Sequence, residues 1–226
     1  IEKHVGARAR PDLREPEDVQ VIKWSGGSTG IPKGVLQSIR CINAQAKTIR
    51  HHFEFTSLDV NLVAAPLPHG SSCFILPILG AGGRLVLLKH PTVPLMLDAF
   101  ERGVTTAYLP PTMIYNLLAG PGVGDRSFSA LRHLIYSAAP MPPERIADAR
   151  RVFGPVLETA YGQVEAPQVV TVMRAEEFAD ERNLASVGRA TISTQVAIMD
   201  PEGRHLPPGE IGEIAVRGDL VMNGYL

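Results

Sequence analysis

Residues 25–34 read Ser25-Gly26-Gly27-Ser28-Thr29-Gly30-Ile31-Pro32-Lys33-Gly34 and decide the interpretation of this chain. They follow residues 19–24, whose β-branched side chains predict a strand. The four glycines allow backbone N–H groups to turn inward without a Cβ clash. Three hydroxyl side chains add donors, and Lys33 adds a mobile positive charge. The stretch therefore predicts a loop that holds a polyphosphate.

The spacing of this loop excludes the two commonest phosphate-binding motifs. The pattern GxxxxGK[ST] fails because Ile31 and Pro32 stand five residues after Gly26 and Gly27. The pattern GxGxxG fails as well, since the glycines lie at positions 26, 27, 30 and 34. Pro32 disfavours a helical Ile31, so we expect that the loop does not open directly into a helix. The alternative is a flexible linker that contains a lysine by chance.

Strand-like and helix-like segments alternate through most of the remaining chain. Apolar runs predict strands at 60–65, 84–88, 105–109, 134–136 and 156–161, separated by helical patterns such as 95–100, 112–118 and 142–152. This alternation is typical of an α/β fold with a mainly parallel sheet flanked by helices. Later strands at 195–199 and 211–216 have no helix between them and predict a partial β-rich subdomain. The predicted organisation is a linker at 1–18, an α/β nucleotide-binding subdomain at 19–175 and the β-rich part at 176–226.

Four further motifs occur in a fixed order after the loop. Residues 66–70 read PLPHG, 137–141 read SAAPM, 161–165 read YGQVE, and 186–189 with 209–218 read SVGR and GEIGEIAVRG. Together with the loop, they resemble the adenylate-forming superfamily of acyl- and aryl-CoA synthetases, adenylation domains and luciferases. The resemblance covers nearly all of residues 19–226. The last two segments are interpreted as strands and turns.

The resemblance implies a role for each motif. It implies that the loop binds the β- and γ-phosphates of ATP through Ser25, Gly26, Gly27, Ser28, Thr29, Gly30 and Lys33. It implies an adenine and AMP site formed by Ser137, Ala138, Ala139, Pro140, Tyr161, Gly162, Gln163 and Val164. Lys33, Glu165 and His69 are the implied catalytic residues, with Glu165 binding Mg²⁺ and His69 near the substrate carboxylate. Val164 departs from the family pattern, where threonine is usual.

Composition excludes several other functional classes. The chain has 226 residues, is 45% hydrophobic and carries a formal net charge of −1, which disfavours a basic nucleic-acid binder. Its two cysteines form no CxxC motif, so we expect neither a zinc knuckle nor a disulfide scaffold. No apolar run is long enough for a membrane span. We expect a cytoplasmic protein and interpret the chain as a piece of a longer polypeptide.

The predicted function is AMP-forming ligation of a carboxylic acid to CoA, with ATP, Mg²⁺ and CoA as the implied cofactors and co-substrates. Two alternatives stay open: an aryl-acid or peptide-synthetase adenylation domain that loads a carrier protein, and a nucleotide-binding module without turnover. We expect residues 1–226 alone to be inactive. Unpaired strand edges in the incomplete β-rich part also predict some self-association.

Overall fold

A computed structural model describes residues 14–26 and 32–226, and most of the predicted linker at 1–18 lies outside these ranges. The strands are β1 (Val19–Ser25), β2 (Lys33–Ser38), β3 (Val60–Val63), β4 (Arg84–Leu87), β5 (Thr106–Tyr108), β6 (His133–Tyr136), β7 (Leu157–Tyr161), β8 (Thr171–Met173), β9 (Arg189–Ala190), β10 (Gln195–Met199), β11 (Glu213–Arg217) and β12 (Gly224–Tyr225). The α-helices are α1 (Ile39–Phe53), α2 (Ile75–Gly80), α3 (Val93–Glu101), α4 (Pro111–Leu118) and α5 (Pro143–Phe153). Short 3₁₀ helices span Gly70–Phe74, Val123–Asp125, Ala175–Ala179 and Glu181–Asn183.

The main sheet has seven strands in the order β4-β3-β5-β6-β7-β8-β9. All pairings from β4 to β7 are parallel, and β8 and β9 are added antiparallel. Helices connect the successive parallel strands, as such connections require. This architecture confirms the predicted α/β class with a mainly parallel sheet flanked by helices.

Two hydrophobic clusters cover the two faces of the sheet. One cluster joins alternate strand residues such as Leu134 to the buried sides of α3, α4 and α5. The other joins residues of opposite orientation, such as Ile135, to α1 and α2. Because neighbouring strand side chains point to opposite faces, both faces of the sheet are buried. Its strands are therefore rigid supports for the loops at their ends.

The predicted phosphate loop lies within a β-hairpin. β1 pairs antiparallel with β2, and Ser25 faces Lys33 at the last described position of the ladder. The loop is thus followed by a strand, which confirms that it does not open into a helix. The outer edge of β2 pairs with β12, so Tyr225 lies opposite Val35.

The later strands do not form one separate layer. β10 and β11 make a two-stranded antiparallel ribbon, whereas β9 extends the main sheet beyond residue 175. β12 joins the hairpin near the beginning of the chain. The predicted division at residue 175 therefore does not coincide with a sheet boundary, and the subdomain limits stay a prediction. In the described parts of the chain, no helix has the length and apolar character needed to cross a membrane.

At the amino-terminal edge of the sheet, hydrogen bonds to one buried carboxylate join three segments of the chain. Asp59, just before β3, accepts hydrogen bonds from the Thr56 backbone N–H at 2.7 Å and the Thr105 hydroxyl at 2.8 Å. Arg132 contacts both of its oxygens, at 2.9 and 3.0 Å. Burial alone would raise the pKa of Asp59, but these hydrogen bonds and the Arg132 charge together lower that pKa below its usual range.

We expect the contribution of Asp59 to stability to disappear in acid. Because its carboxyl pKa is lower in the folded than in the unfolded chain, the stabilisation is complete above the unfolded pKa of about 4 and is lost as the pH falls through the folded pKa. Asp59→Asn should lower the free energy of unfolding by roughly 1–3 kcal/mol at pH 7. Chemical denaturation at pH 7 and at pH values below 4 measures the difference between the two proteins. A difference that stays constant with pH would contradict the assignment.

Candidate active site

The carboxyl-terminal edge of the sheet gathers most of the described candidate residues. His69 follows β3, Ser137 follows β6, and Gly162 follows β7 directly. Parallel strands end at the same edge, and ligands of open α/β sheets bind in the crevice outside it. The structure therefore brings together motifs that are separated by almost 100 residues in the sequence.

Two adjoining cavities open at this edge. The larger has a volume of about 720 Å³ and is lined by residues 136–143, 159–163 and 184–187. The smaller has a volume of about 260 Å³ and reaches His69, Tyr108 and Gln168. Four residues line both cavities: Ser137, Ala138, Gly162 and Gln163. The wall between the two cavities, called the shared wall below, is thus formed by residues of the predicted motifs at 137–141 and 161–165.

The shared wall has an unusual backbone. Ala138 has a φ of +75°, in the left-handed region that non-glycine residues rarely occupy. A Cβ on Gly162 would lie 2.5 Å from the backbone nitrogen of Gln168, so a side chain cannot be accommodated there. Such strained or tightly packed backbone is frequent where a ligand must be approached closely.

Lys33 and Glu165 lie on either side of one tyrosine. The Lys33 Nζ lies 5.1 Å from the centre of the Tyr225 ring, within the range of a cation–π contact. The Tyr225 hydroxyl donates to Glu165 Oε1 at 3.0 Å, and this hydrogen bond raises the pKa of the tyrosine. The Met222 backbone N–H donates to the Glu165 carbonyl at 2.8 Å, which fixes the loop to the segment before β12. The two groups predicted to meet the nucleotide phosphates therefore contact the same tyrosine.

The β1–β2 hairpin is also tied directly to the loop after β7. Gln37 on β2 is completely buried, and its Nε2 donates to the Val164 carbonyl at 2.8 Å. Within the loop, the Gln163 backbone N–H donates to the Ala166 carbonyl, and the Gln163 Nε2 donates to the Tyr161 hydroxyl at 3.1 Å. These bonds hold the tyrosine, the valine and the glutamate in one fixed turn.

The far end of the smaller cavity is polar and crowded. A Cβ on Gly70 would lie 2.5 Å from the Tyr108 hydroxyl and 2.7 Å from Gln168 Oε1, so these groups converge on a glycine. Burial raises the pKa of Tyr108, which keeps its hydroxyl protonated at neutral pH. The Tyr108 ring stacks on Phe74 at 5.4 Å. Tyr108 is therefore held rigidly at this end.

The described site contains most of the predicted residues, with some additions. Gly27, Ser28, Thr29 and Gly30 lie outside the described residues, whereas Ser25 and Gly26 lie at the mouth of the hairpin. Ala139 and Pro140 line the larger cavity. Sequence reasoning missed Gln37, Gln168 and Tyr225. The sequence contains no motif that marks Gln37, Gln168 or Tyr225 as a site residue.

Comparison with known proteins identifies the family. The sequence model described as AMP-binding enzyme matches residues 2–226. The chain belongs to the AMP-binding enzyme family. The resemblance to adenylate-forming enzymes drawn from the motifs is thereby confirmed, with residues 25–34 and 161–165 inside the matched range.

Two curated relatives of this AMP-binding chain are CoA ligases. A medium/long-chain-fatty-acid–CoA ligase, FadD8 of Mycobacterium tuberculosis, is 35% identical over 211 residues, covering 93% of this chain and 37% of the relative. A feruloyl-CoA synthase of Amycolatopsis sp is 33% identical, covering 92% of this chain and 43% of the relative. The chain thus spans about two fifths of the length of these relatives.

Solved structures share the fold. The amide bond synthetase McbA of Marinactinospora thermotolerans superimposes with a TM-score of 0.86 and 31% identity, covering 97% of this chain and 45% of that one. ATP-bound MatB of Rhodopseudomonas palustris gives a TM-score of 0.85 and 27% identity, covering 94% of this chain and 42% of that one.

Proposed function

We propose that this AMP-binding chain carries the nucleotide- and acid-binding part of an AMP-forming carboxylate–CoA ligase. The observation that supports this most directly is the pair of cavities with one shared wall. Val164 lines the smaller cavity and directly precedes Glu165, which contacts Tyr225 as Lys33 does. A two-substrate reaction between ATP and an acid needs two adjoining sites that leave the reacting atoms in contact. The names of the curated relatives support CoA as the acceptor.

In this proposal the larger cavity takes the adenine nucleotide and the smaller takes the acid. A carboxylate oxygen attacks the α-phosphorus of ATP, the bond to pyrophosphate breaks, and acyl-AMP forms. The CoA thiol then displaces AMP to give the thioester. No base is needed for the first step, because a carboxylic acid is already ionised at neutral pH. His69 lies at the rim of the smaller cavity, where we propose that it meets the carboxylate.

The main difficulty of the first step is charge, since an anion approaches a polyanion. Pre-positioned donors and cations are the usual solution in such sites. We propose that these donors and cations are Lys33 and the amides of the loop. The loop residues concerned are Ser25, Gly26, Gly27, Ser28, Thr29 and Gly30. Tyr161 is proposed to pack on the adenine.

Glu165 fits the role of a magnesium ligand. Mg²⁺ usually keeps several waters and takes one or two carboxylates together with substrate phosphates. Glu165 offers one half-buried carboxylate whose Oε2 accepts no hydrogen bond from the described residues, while Oε1 is held by Tyr225. In the described ranges, no group of three or more acidic, histidine or cysteine side chains could hold a metal ion by itself, in keeping with a cation shared with the nucleotide. When bound there, Mg²⁺ would neutralise phosphate charge.

The proposed function is tested by pyrophosphate release in the full-length protein. ATP, Mg²⁺ and a panel of carboxylic acids should give acid-dependent pyrophosphate and AMP, and added CoA should give a thioester. Acid-dependent pyrophosphate without any thioester would favour a carrier protein as acceptor. No acid-dependent pyrophosphate with any acid would overturn the proposal.

Val164 offers a gain-of-function test. Threonine has nearly the volume of valine and places a hydroxyl beside the shared wall, while the backbone bond from Gln37 is kept. If that hydroxyl reaches the α-phosphate in the transition state, Val164→Thr should raise the rate of adenylation by at most about 10-fold, as for one hydrogen bond of about 1.4 kcal/mol. Steady-state pyrophosphate release measures this. A fall in rate with unchanged thermal stability would show that another donor already fills the position.

A further inference from the structure

The strand β1 turns a charged side chain inward and apolar side chains outward. Ile22 and Trp24 are 47% and 61% exposed, whereas Lys23 between them is half-buried. Because side chains alternate along a strand, Lys23 points to the opposite face of the hairpin from its two neighbours. In an ordinary half-buried strand the apolar residues take the inward positions and the charged residues the outward ones. This reversal makes Lys23 a candidate binding residue.

The ammonium group of Lys23 lies beside the segment that carries His69. Lys23 Nζ donates to the Ser72 hydroxyl at 3.4 Å, and that hydroxyl donates to the His69 carbonyl at 2.9 Å. Lys23 and His69 both line the smaller cavity. The hairpin and the segment after β3 thus bring a positive charge to the cavity in which the acid is proposed to bind.

The charge of Lys23 has no opposite charge in this cavity. No aspartate or glutamate among the described residues lines either cavity, and Lys23 is the one described lysine or arginine that does so. Within the described ranges, its hydrogen bond goes to a neutral hydroxyl and not to a carboxylate. A partly desolvated cation without a counter-ion is unfavourable, and an anion that binds in the cavity would compensate it through a charge-assisted hydrogen bond.

We propose that Lys23 binds the carboxylate of the acid substrate in the smaller cavity. This inference rests on the proposed function, in which the acid occupies that cavity. The carboxylate has its full negative charge before the reaction and loses part of it as the bond to phosphorus forms. The interaction with Lys23 is then no stronger in the transition state than in the bound acid, so it strengthens acid binding without accelerating the chemical step. Lys33, in contrast, is proposed to neutralise phosphate charge.

Lys23→Met tests the proposal in the full-length protein, because methionine keeps a long unbranched side chain without the charge. We expect KM for the acid to rise by about 10-fold or more, as for the loss of a hydrogen bond to a charged group. The value of kcat and the KM for ATP should stay within about 3-fold, since the lost interaction is one of acid binding. Lys23→Arg keeps the charge and should restore most of the affinity for the acid. Lys89→Met removes an exposed lysine outside both cavities and should change none of these constants.

Calorimetric titration measures carboxylate binding without turnover. The probes are the acid of lowest KM and its uncharged primary amide, or hexanoate and hexanamide where no acid releases pyrophosphate. We expect the unchanged protein to bind the acid about 10-fold or more tightly than the amide, and Lys23→Met to reduce that ratio to within about 3-fold. Lys23→Gln keeps a donor for the Ser72 hydroxyl without the charge. It should reduce the ratio equally, and it serves if the methionine variant does not fold.

Three results would contradict the assignment of Lys23. An unchanged KM for the acid, or a ratio of acid to amide affinity that Lys23→Met does not reduce, would overturn it and leave the proposed ligase function standing. A rise in KM for ATP in place of KM for the acid would overturn it as well and indicate a phosphate contact. Absence of pyrophosphate release with every acid would instead overturn the proposed function, and the titrations would then decide alone whether Lys23 binds a carboxylate.

Discussion

Replacing Lys33 by alanine should slow pyrophosphate release by at least about 100-fold in the full-length protein. Removal of one positioned donor from a developing charge typically costs 10²–10³ in rate. Lys33 is exposed at the beginning of β2, and its described contact is the face of Tyr225. Its loss should therefore change the free energy of unfolding by less than about 0.5 kcal/mol. Steady-state kinetics and thermal denaturation measure the two effects separately.

Lys47 provides the matched control for this prediction. It is exposed on α1, and alanine is a good helix former, so Lys47→Ala should leave both the rate and the stability near those of the unchanged protein. Lys33→Arg keeps the positive charge and should retain more activity than Lys33→Ala. A Lys33→Ala rate within about 3-fold of the original would refute the role of this lysine in phosphate charge neutralisation.

The second large effect is expected at Gly188, where alanine should destabilise the fold by about 3 kcal/mol. Gly188 has a φ of +88°, and an added Cβ would overlap the Val172 carbonyl on β8. The left-handed backbone costs a non-glycine residue roughly 1–2 kcal/mol, and overpacking adds about 1–3 kcal/mol. At 2–4 °C per kcal/mol for a domain of this size, the melting temperature should fall by roughly 6–12 °C.

Gly103→Ala separates the two causes. Gly103 has a similar φ of +98°, but an added Cβ would have no atom within 4 Å. We therefore expect only the backbone cost of roughly 1–2 kcal/mol. Denaturant unfolding of both variants gives the difference. Equal destabilisation would show that the approach of the chain to β8 is looser than the structure indicates.

The local sequence pattern was sufficient to predict most strands of the parallel sheet and the helices between them. The predicted strand at 134–136 corresponds to β6, and the helix predicted at 142–152 corresponds to α5. β6 is a short apolar run and α5 is an amphipathic pattern with a proline at its start, so local pattern and tertiary structure agree for both. β2 was missed because it begins with Lys33 and Gly34, which are not typical of strands. α2 was missed because Pro77 and Gly80 within it, and Gly82 and Gly83 after it, are typical of turns.

The buried face of α1 was predicted only in part. The spacing after Ser38 predicts a helix with Ile39, Ile42, Ala46 and Ile49 on one face. The buried residues are Cys41, Ala44, Gln45, Thr48, Ile49 and Phe53, so only Ile49 is common to both sets. Gln45 donates to the Pro167 carbonyl at 3.2 Å, and Thr48 shares a hydrogen bond with Ser193. Their partners lie more than 100 residues away, and a buried polar side chain is acceptable only with such partners. A single sequence does not contain that information.

In the candidate site too, residues in local motifs were predicted, whereas residues whose contacts are distant in the sequence were not. The resemblance of their motifs to the family implied Ser137, Tyr161 and Glu165 as site residues, and in the structure they lie at or after the carboxyl ends of β6 and β7. Gln37 and Gln168 could not be found in this way, since their contacts with Val164 and with Gly70 join segments that are far apart in the sequence. Tyr225 depends on the pairing of β12 with β2, which no local pattern predicts.

The wall shared by the two cavities affects how kinetic constants can be interpreted. Ala138 and Gly162 each border both volumes, so under the proposed assignment of the cavities a change at either position alters the space for nucleotide and for acid at once. Apparent Michaelis constants for the two substrates should then shift together, and the effects of paired substitutions across the wall should not add. Altering acid preference by mutation is therefore better begun at Tyr108 or Gln168, which border the smaller volume alone.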